Sequence, residues 1–136
     1  MIKTIVTDTF FLAQPSQEAT KEDLPLAQDL RDTLAFHRKS CVGMAANMIG
    51  VKKRIIIISM GFVDLVMFNP VLLEKAGAYE AEESCLSLKG SRPITRYKEI
   101  TISYRDEKWL EKKLTLKDFP AQIVQHELDH LEGIVI

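Results

Sequence analysis

Apolar and polar positions along the chain fall into two periodicities. Between Asp23 and Lys39, Leu26, Leu30 and Leu34 recur every fourth residue while Asp29, Arg31, Asp32 and Arg38 take other faces, which predicts an amphipathic helix. Pro25 suits its first turn, where no N–H is needed, and Thr20 or Asp23 can cap it. Arg54–Ser59 carries four consecutive isoleucines and Phe62–Phe68 is again apolar; with Met60-Gly61 as the turn between them, they predict an antiparallel hairpin. Asn69-Pro70 is expected to punctuate the chain before Val71–Glu74. Lys98–Arg105 alternates, with Ile100, Ile102 and Tyr104 on one side, and a turn at Asp106-Glu107 leads into Trp109–Leu116. Asp118 is the expected N-cap of a last helix that runs to Gly133, a residue suited to a helix C-terminus. Cys41–Met48, rich in small residues, reads as a tight loop or short strand.

Several strands around two helices, with no repeat or linker, predict an α+β fold in a single domain over residues 1–136. An apolar fraction of 46% is enough for one sizeable core. The 18 basic and 19 acidic residues nearly cancel and form no long block of one sign, so sequence-specific binding to nucleic acid is not expected. The greasiest stretch, Ile55–Phe68, is too short for a membrane span and is broken by Gly61 and Asp64, which argues against a membrane partner. Met1–Phe11 lacks the pattern of a secretory signal, so a cytoplasmic location and two reduced thiols, Cys41 and Cys85, are expected.

The last helix carries the chemistry. Positions i and i+4 lie about 40° apart around a helix and about 6 Å along it, so His126 and His130 point the same way and can share one ion. Glu127, about 100° round from His126, can reach a water on that ion without coordinating it and is the natural general base. A catalytic site of this kind uses three protein ligands, so one more is required. Cys85 and Cys41 are the candidates, and the polar surroundings of Cys85 in Glu83-Ser84-Cys85-Leu86-Ser87 favour it. Asp129 and Glu132 read as supporting or solvent-facing residues. Taken alone, the His-Glu-Leu-Asp-His pattern also fits two capped surface histidines without metal, or a different metallopeptidase sharing only this helix.

Three segments in order, Val42-Gly43-Met44-Ala45-Ala46, Glu83-Ser84-Cys85-Leu86-Ser87 and Gln125-His126-Glu127-Leu128-Asp129-His130-Leu131-Glu132-Gly133, resemble the signature motifs of peptide deformylases. The resemblance implies a peptide-deformylase-like fold, with antiparallel strands packed around a central C-terminal metal-binding helix, and it selects Cys85 over Cys41 as the third ligand beside His126 and His130. It implies one divalent transition-metal ion, Fe²⁺ as the native one, replaceable by Ni²⁺, Co²⁺ or Zn²⁺. The implied reaction removes the formyl group from N-formylmethionyl nascent peptides and releases formate, with the ribosome as a further partner. Glu127 would act as base and later as acid, and the Leu86 backbone N–H would help hold the oxyanion. Phe119 and Ile123 would line a methionine pocket, and Gly43 would offer backbone hydrogen bonds to an extended substrate. Glu83 would brace the metal loop by pairing with Arg96 or Arg92.

Two positions depart from the family pattern Gly-x-Gly-x-Ala-Ala-x-Gln. Cys41 stands at the first glycine, which narrows access, and Met48 stands at the glutamine, whose amide is a second oxyanion donor in the family. A thioether has no N–H, and losing one such donor typically costs about 10²- to 10³-fold in rate. Asn47 is the nearest amide, one position away. The expectation is therefore a metal-dependent hydrolase acting on N-formylmethionyl peptides. The alternative is a deformylase-like paralogue with weak or lost activity, or one acting on another N-acylated peptide or small amide.

Overall fold

Four isoleucines in succession can all be buried only where both faces of their strand are covered, and β2 (Ile55–Ser59) meets that condition. It lies second in a five-stranded antiparallel sheet in which every strand pairs with its sequence neighbours: β1 (Gly43–Ala45), β2, β3 (Asp64–Cys85), β4 (Leu88–Arg105) and β5 (Glu111–Lys117). The computed structural model describes residues 1–136. On one face of the sheet Ile56 and Ile58 pack with Met67, Ile100 and Ile102 against Val124, Leu128 and Leu131 of the C-terminal helix α3 (Asp118–Leu131). On the other face Ile55 and Ile57 pack with Phe68 and Met48 against Leu30 and Leu34 of α2 (Leu26–Phe36). A one-turn helix, α1 (Thr9–Leu12), completes the set. An antiparallel sheet carrying a C-terminal helix is the α+β arrangement that the periodicities predict.

The expected hairpin is β2–β3, with Ile55 paired to Phe68 and Ser59 to Asp64. Asn69-Pro70, however, does not end the strand: β3 runs through it to Cys85. Asn69 adopts the left-handed conformation (φ 51°) at a register shift between Phe68 and Val71, and proline, having no N–H, is tolerated at such a bulge. The Asn69 side chain exchanges two hydrogen bonds with the Ala19 backbone, at 2.7 and 2.9 Å, which stabilises the bend. The first expected helix is shorter than Asp23–Lys39, because Thr20 and Asp23 instead form a reciprocal cap on a 3₁₀ turn over Lys21–Asp23. Asp118 is the first residue of α3 rather than its N-cap; Lys117 ends β5 and Asp118 turns the chain at φ 56°.

Beyond the sheet, β3 and β4 continue as a two-stranded ribbon that crosses α3. The Gln125 side chain pins it there by taking the Tyr97 N–H at 2.8 Å and donating to the Tyr97 carbonyl at 2.7 Å. The ribbon ends in a tight turn at Leu86-Ser87, where Cys85 pairs with Leu88. Cys85 is thereby brought back over α3, the step that builds the site.

Candidate metal centre and active site

Helix periodicity places His126 and His130 one turn apart, and their Nε2 atoms lie 3.1 Å from each other. The ribbon adds the Cys85 sulfur 3.4 Å from His130 Nε2, and the three ligand atoms all fall within 4.8 Å of one another. Nitrogens about 2.1 Å and a sulfur about 2.3 Å from a tetrahedral ion would be separated by about 3.4 Å (N to N) and 3.6 Å (N to S). The observed spacings are close to both. Cys41 is not part of this group; both cysteines are free thiols. The donor set therefore fits one ion, and a thiolate with two imidazoles suits a transition metal rather than Ca²⁺ or Mg²⁺.

His126 is held from behind. Its Nδ1 lies 2.8 Å from Glu83 Oε1, and Arg96 grips the same carboxylate through Nε (2.9 Å) and a terminal nitrogen (2.7 Å) while its other terminal nitrogen reaches Asp129 at 2.7 Å. Arg96, not Arg92, is thus the partner of Glu83; Arg92 bonds the Lys89 carbonyl. Burial alone would raise the Glu83 carboxyl, but hydrogen bonds from His126, Arg96 and Gln122 outweigh it and hold the group down at about 2. Burial likewise opposes charge on His126, yet its interactions with Cys85 and Glu83 raise it to about 10, whereas burial and the neighbouring His126 charge depress His130 to about 3. Two imidazoles this close divide the protonation between them.

Glu127 stands on the other side of His126, 3% exposed, with Oε1 buried and without a hydrogen-bond partner. Burial, only partly offset by the His126 charge, lifts its carboxyl to about 7. Gly43 is what leaves room for it: a Cβ there would sit 2.6 Å from Ile123 Cγ2 and 3.0 Å from Glu127 Oε2. A cleft of about 440 Å³ opens in front of these groups, lined among others by Cys41, Gly43, Met48, Leu86, Phe119 and Ile123. Phe119 is 55% exposed at its mouth while Ile123 is buried in its wall. The Leu86 N–H makes no hydrogen bond within the protein. Met48 is buried, its sulfur 3.5 Å from the Ala45 N–H. Asn47 does not take the place of a glutamine at the cleft: its Nδ2 donates to the His130 carbonyl at 2.9 Å.

A family model described as polypeptide deformylase matches residues 2–136. The chain belongs to this family. It is 53% identical to a peptide deformylase of Clostridium beijerinckii over 136 residues, the whole of both chains, and 35% identical to one of Nitrosococcus oceani over 125 residues, 89% of this chain and 74% of that one. Among solved structures it is similar to the actinonin-bound class I type b peptide deformylase of Acinetobacter baumannii (TM-score 0.89, 27% identity, 99% of this chain and 95% of the other). It is equally similar to the peptide deformylase of Thermotoga maritima (TM-score 0.90, 27% identity, the same coverage). The chain is accordingly a hydrolase, a peptide deformylase acting on formylated peptides, and deformylases are metal-dependent. The competing readings, a paralogue with another substrate or an unrelated metallopeptidase, find no support in these matches. No helix is long and apolar enough to cross a membrane.

Among the residues that hold the site, Gln122 and Tyr79 escape sequence reasoning. Gln122 donates to Glu83 and accepts from the Tyr79 hydroxyl. Its position one turn before His126 is the only signal that could have marked it.

Proposed function

We propose that residues 1–136 act as one catalytic unit in which Cys85, His126 and His130 hold a divalent transition-metal ion, Fe²⁺ in the cell, with Ni²⁺, Co²⁺ or Zn²⁺ able to replace it. The convergence of one sulfur and two imidazole nitrogens at one end of a substrate-sized cleft carries this reading. When bound, the ion supplies Lewis-acid activation of water and of the formyl oxygen. Glu127, raised toward neutrality by burial, takes a proton from the attacking water and returns it to the departing amine, so that N-formylmethionyl peptide and water become formate and a free N-terminus. The free Leu86 N–H donates to the oxyanion as the carbonyl carbon becomes tetrahedral. Met48 adds no donor at this point.

Substrate docks as an extra strand. β1 is an edge strand; Val42 bonds Ser59 in β2 at 2.8 Å, and antiparallel alternation then turns the backbone groups of Gly43 and Ala45 toward the open edge. The Gly43 carbonyl is already taken by the Cys41 thiol at 2.9 Å, which leaves the Gly43 N–H for the peptide. Phe119 and Ile123 give the methionine side chain an apolar wall. The substrates are nascent chains in the cytoplasm, met at or near the ribosome.

The test is formate release from formyl-Met-Ala-Ser by protein prepared anaerobically with Fe²⁺. Turnover that disappears on chelation and returns with Fe²⁺, Ni²⁺ or Co²⁺ is the expected result. A fully metal-loaded, folded protein that releases no formate would refute the assignment.

A further inference from the structure

Gln122 and Tyr79 lie outside all three motifs, yet they join the cleft to a ligand imidazole through an unbroken chain of hydrogen bonds. Gln122 shares the face of α3 that carries His126 and lines the cleft. Its amide is engaged at both ends: the Tyr79 hydroxyl donates to Oε1 at 3.1 Å, and Nε2 donates to Glu83 Oε2 at 2.9 Å. Ionised Glu83 can only accept, so the amide must present its NH₂ to it, and Tyr79, as a donor, holds the other end in that orientation. Glu83 Oε1 is the acceptor for His126 Nδ1, and any rotation of the carboxylate moves that acceptor. Arg96 fixes the carboxylate from one direction and Gln122 closes the remaining one. Both polar ends of Gln122 are thus engaged within the protein, one N–H on Glu83 and one lone pair of Oε1 on Tyr79.

We propose that Gln122, seated by Tyr79, is a positioning residue that fixes the Glu83 carboxylate and through it the orientation of the His126 imidazole. The inference rests on the reading of Cys85, His126 and His130 as the ligand set. Groups that orient a ligating histidine from behind commonly carry 10- to 100-fold in metal affinity, and Gln122, two bonds removed, belongs at the lower end of that range.

The experiment compares Co²⁺-loaded parent protein with Gln122→Met, Tyr79→Phe and the double variant, reading affinity by competition with a chromophoric chelator and geometry from the visible and near-ultraviolet spectrum. Gln122→Met should weaken Co²⁺ binding about 10-fold and shift the ligand-field bands while keeping the thiolate-to-cobalt charge-transfer band. Tyr79→Phe should weaken it about threefold, and the double variant should be no weaker than Gln122→Met, because the hydroxyl acts only through the amide. Unchanged affinity and spectrum in Gln122→Met, or losses that simply add, would overturn the proposal. If Gln122→Met does not fold, Tyr79→Phe decides alone: it removes one hydroxyl, and unchanged affinity and spectrum there would overturn it equally. A parent without any charge-transfer band would instead strike at the ligand set itself, which separates the two failures.

Discussion

On the ribbon side of the cleft, Glu83 accepts from His126, from two nitrogens of Arg96 and from Gln122, and Arg96 goes on to Asp129. On the β1 side the corresponding groups are a thioether, a thiol bonded to its neighbour's carbonyl and a carboxylate oxygen without a partner. On one side the buried carboxylate is saturated with charge-assisted bonds and is held in place before anything binds. The other keeps unspent bonding capacity beside the reacting groups. The two carboxylates record the difference, Glu83 held at about 2 and Glu127 lifted to about 7. Environments that push like groups apart in this way separate a structural role from an acid–base one.

The sharpest break of the contrast is Glu127→Gln, which removes the proposed base and leaves Cys85, His126 and His130 in place. We expect kcat to fall about 10²- to 10⁴-fold with metal content unchanged, measured by formate release alongside metal analysis. Arg96→Met attacks the ribbon side instead. Arg96 is 4% exposed, and its loss strands Glu83 with fewer donors, so unfolding by denaturant should show a loss of about 3–5 kcal/mol. Met48→Gln gives the β1 side a donor that it lacks. If its amide reaches the oxyanion, kcat/KM for formyl-Met-Ala-Ser rises about 10- to 100-fold, and an unchanged value would mean that Leu86 suffices.

The gentlest probe is pH, applied to chelated protein. Glu83 has a folded pKa below its usual 4.5, so its contribution to stability is present above about 4.5 and is lost as pH falls toward 2. Glu127 has a folded pKa above 4.5, so its contribution to stability falls as pH rises from there through about 7 and then levels off. Relative to the parent, melting temperatures should therefore change slope below about pH 4.5 in Glu83→Gln and between about pH 4.5 and 7 in Glu127→Gln, on top of the His126 and His130 titrations that span the same range. The same slope in both variants would contradict the division between the two sides.

Much of this was legible before any coordinates. The i, i+4 histidines and the glutamate between them follow from helix geometry alone, and the isoleucine run announces a strand covered on both faces. Asn69-Pro70 misleads because a bulge uses the residues of a turn without ending the strand; only the Ala19 backbone, fifty residues away in sequence, shows why the chain bends and goes on. Asp118 misleads for a related reason, since β5 passes straight into α3 and no loop residue is left to cap it. Gln122 was invisible because a glutamine on a helix surface says nothing until a ribbon from elsewhere brings Glu83 and Tyr79 to its two ends.

The proposed chemistry depends on one sulfur and two imidazoles sharing an ion. X-ray absorption at the metal edge of the anaerobically iron-loaded protein addresses that directly. A first shell with one sulfur at about 2.3 Å and two imidazole nitrogens at about 2.1 Å is the predicted result. A shell of nitrogen and oxygen alone, with Cys85 still a free thiol, would contradict it.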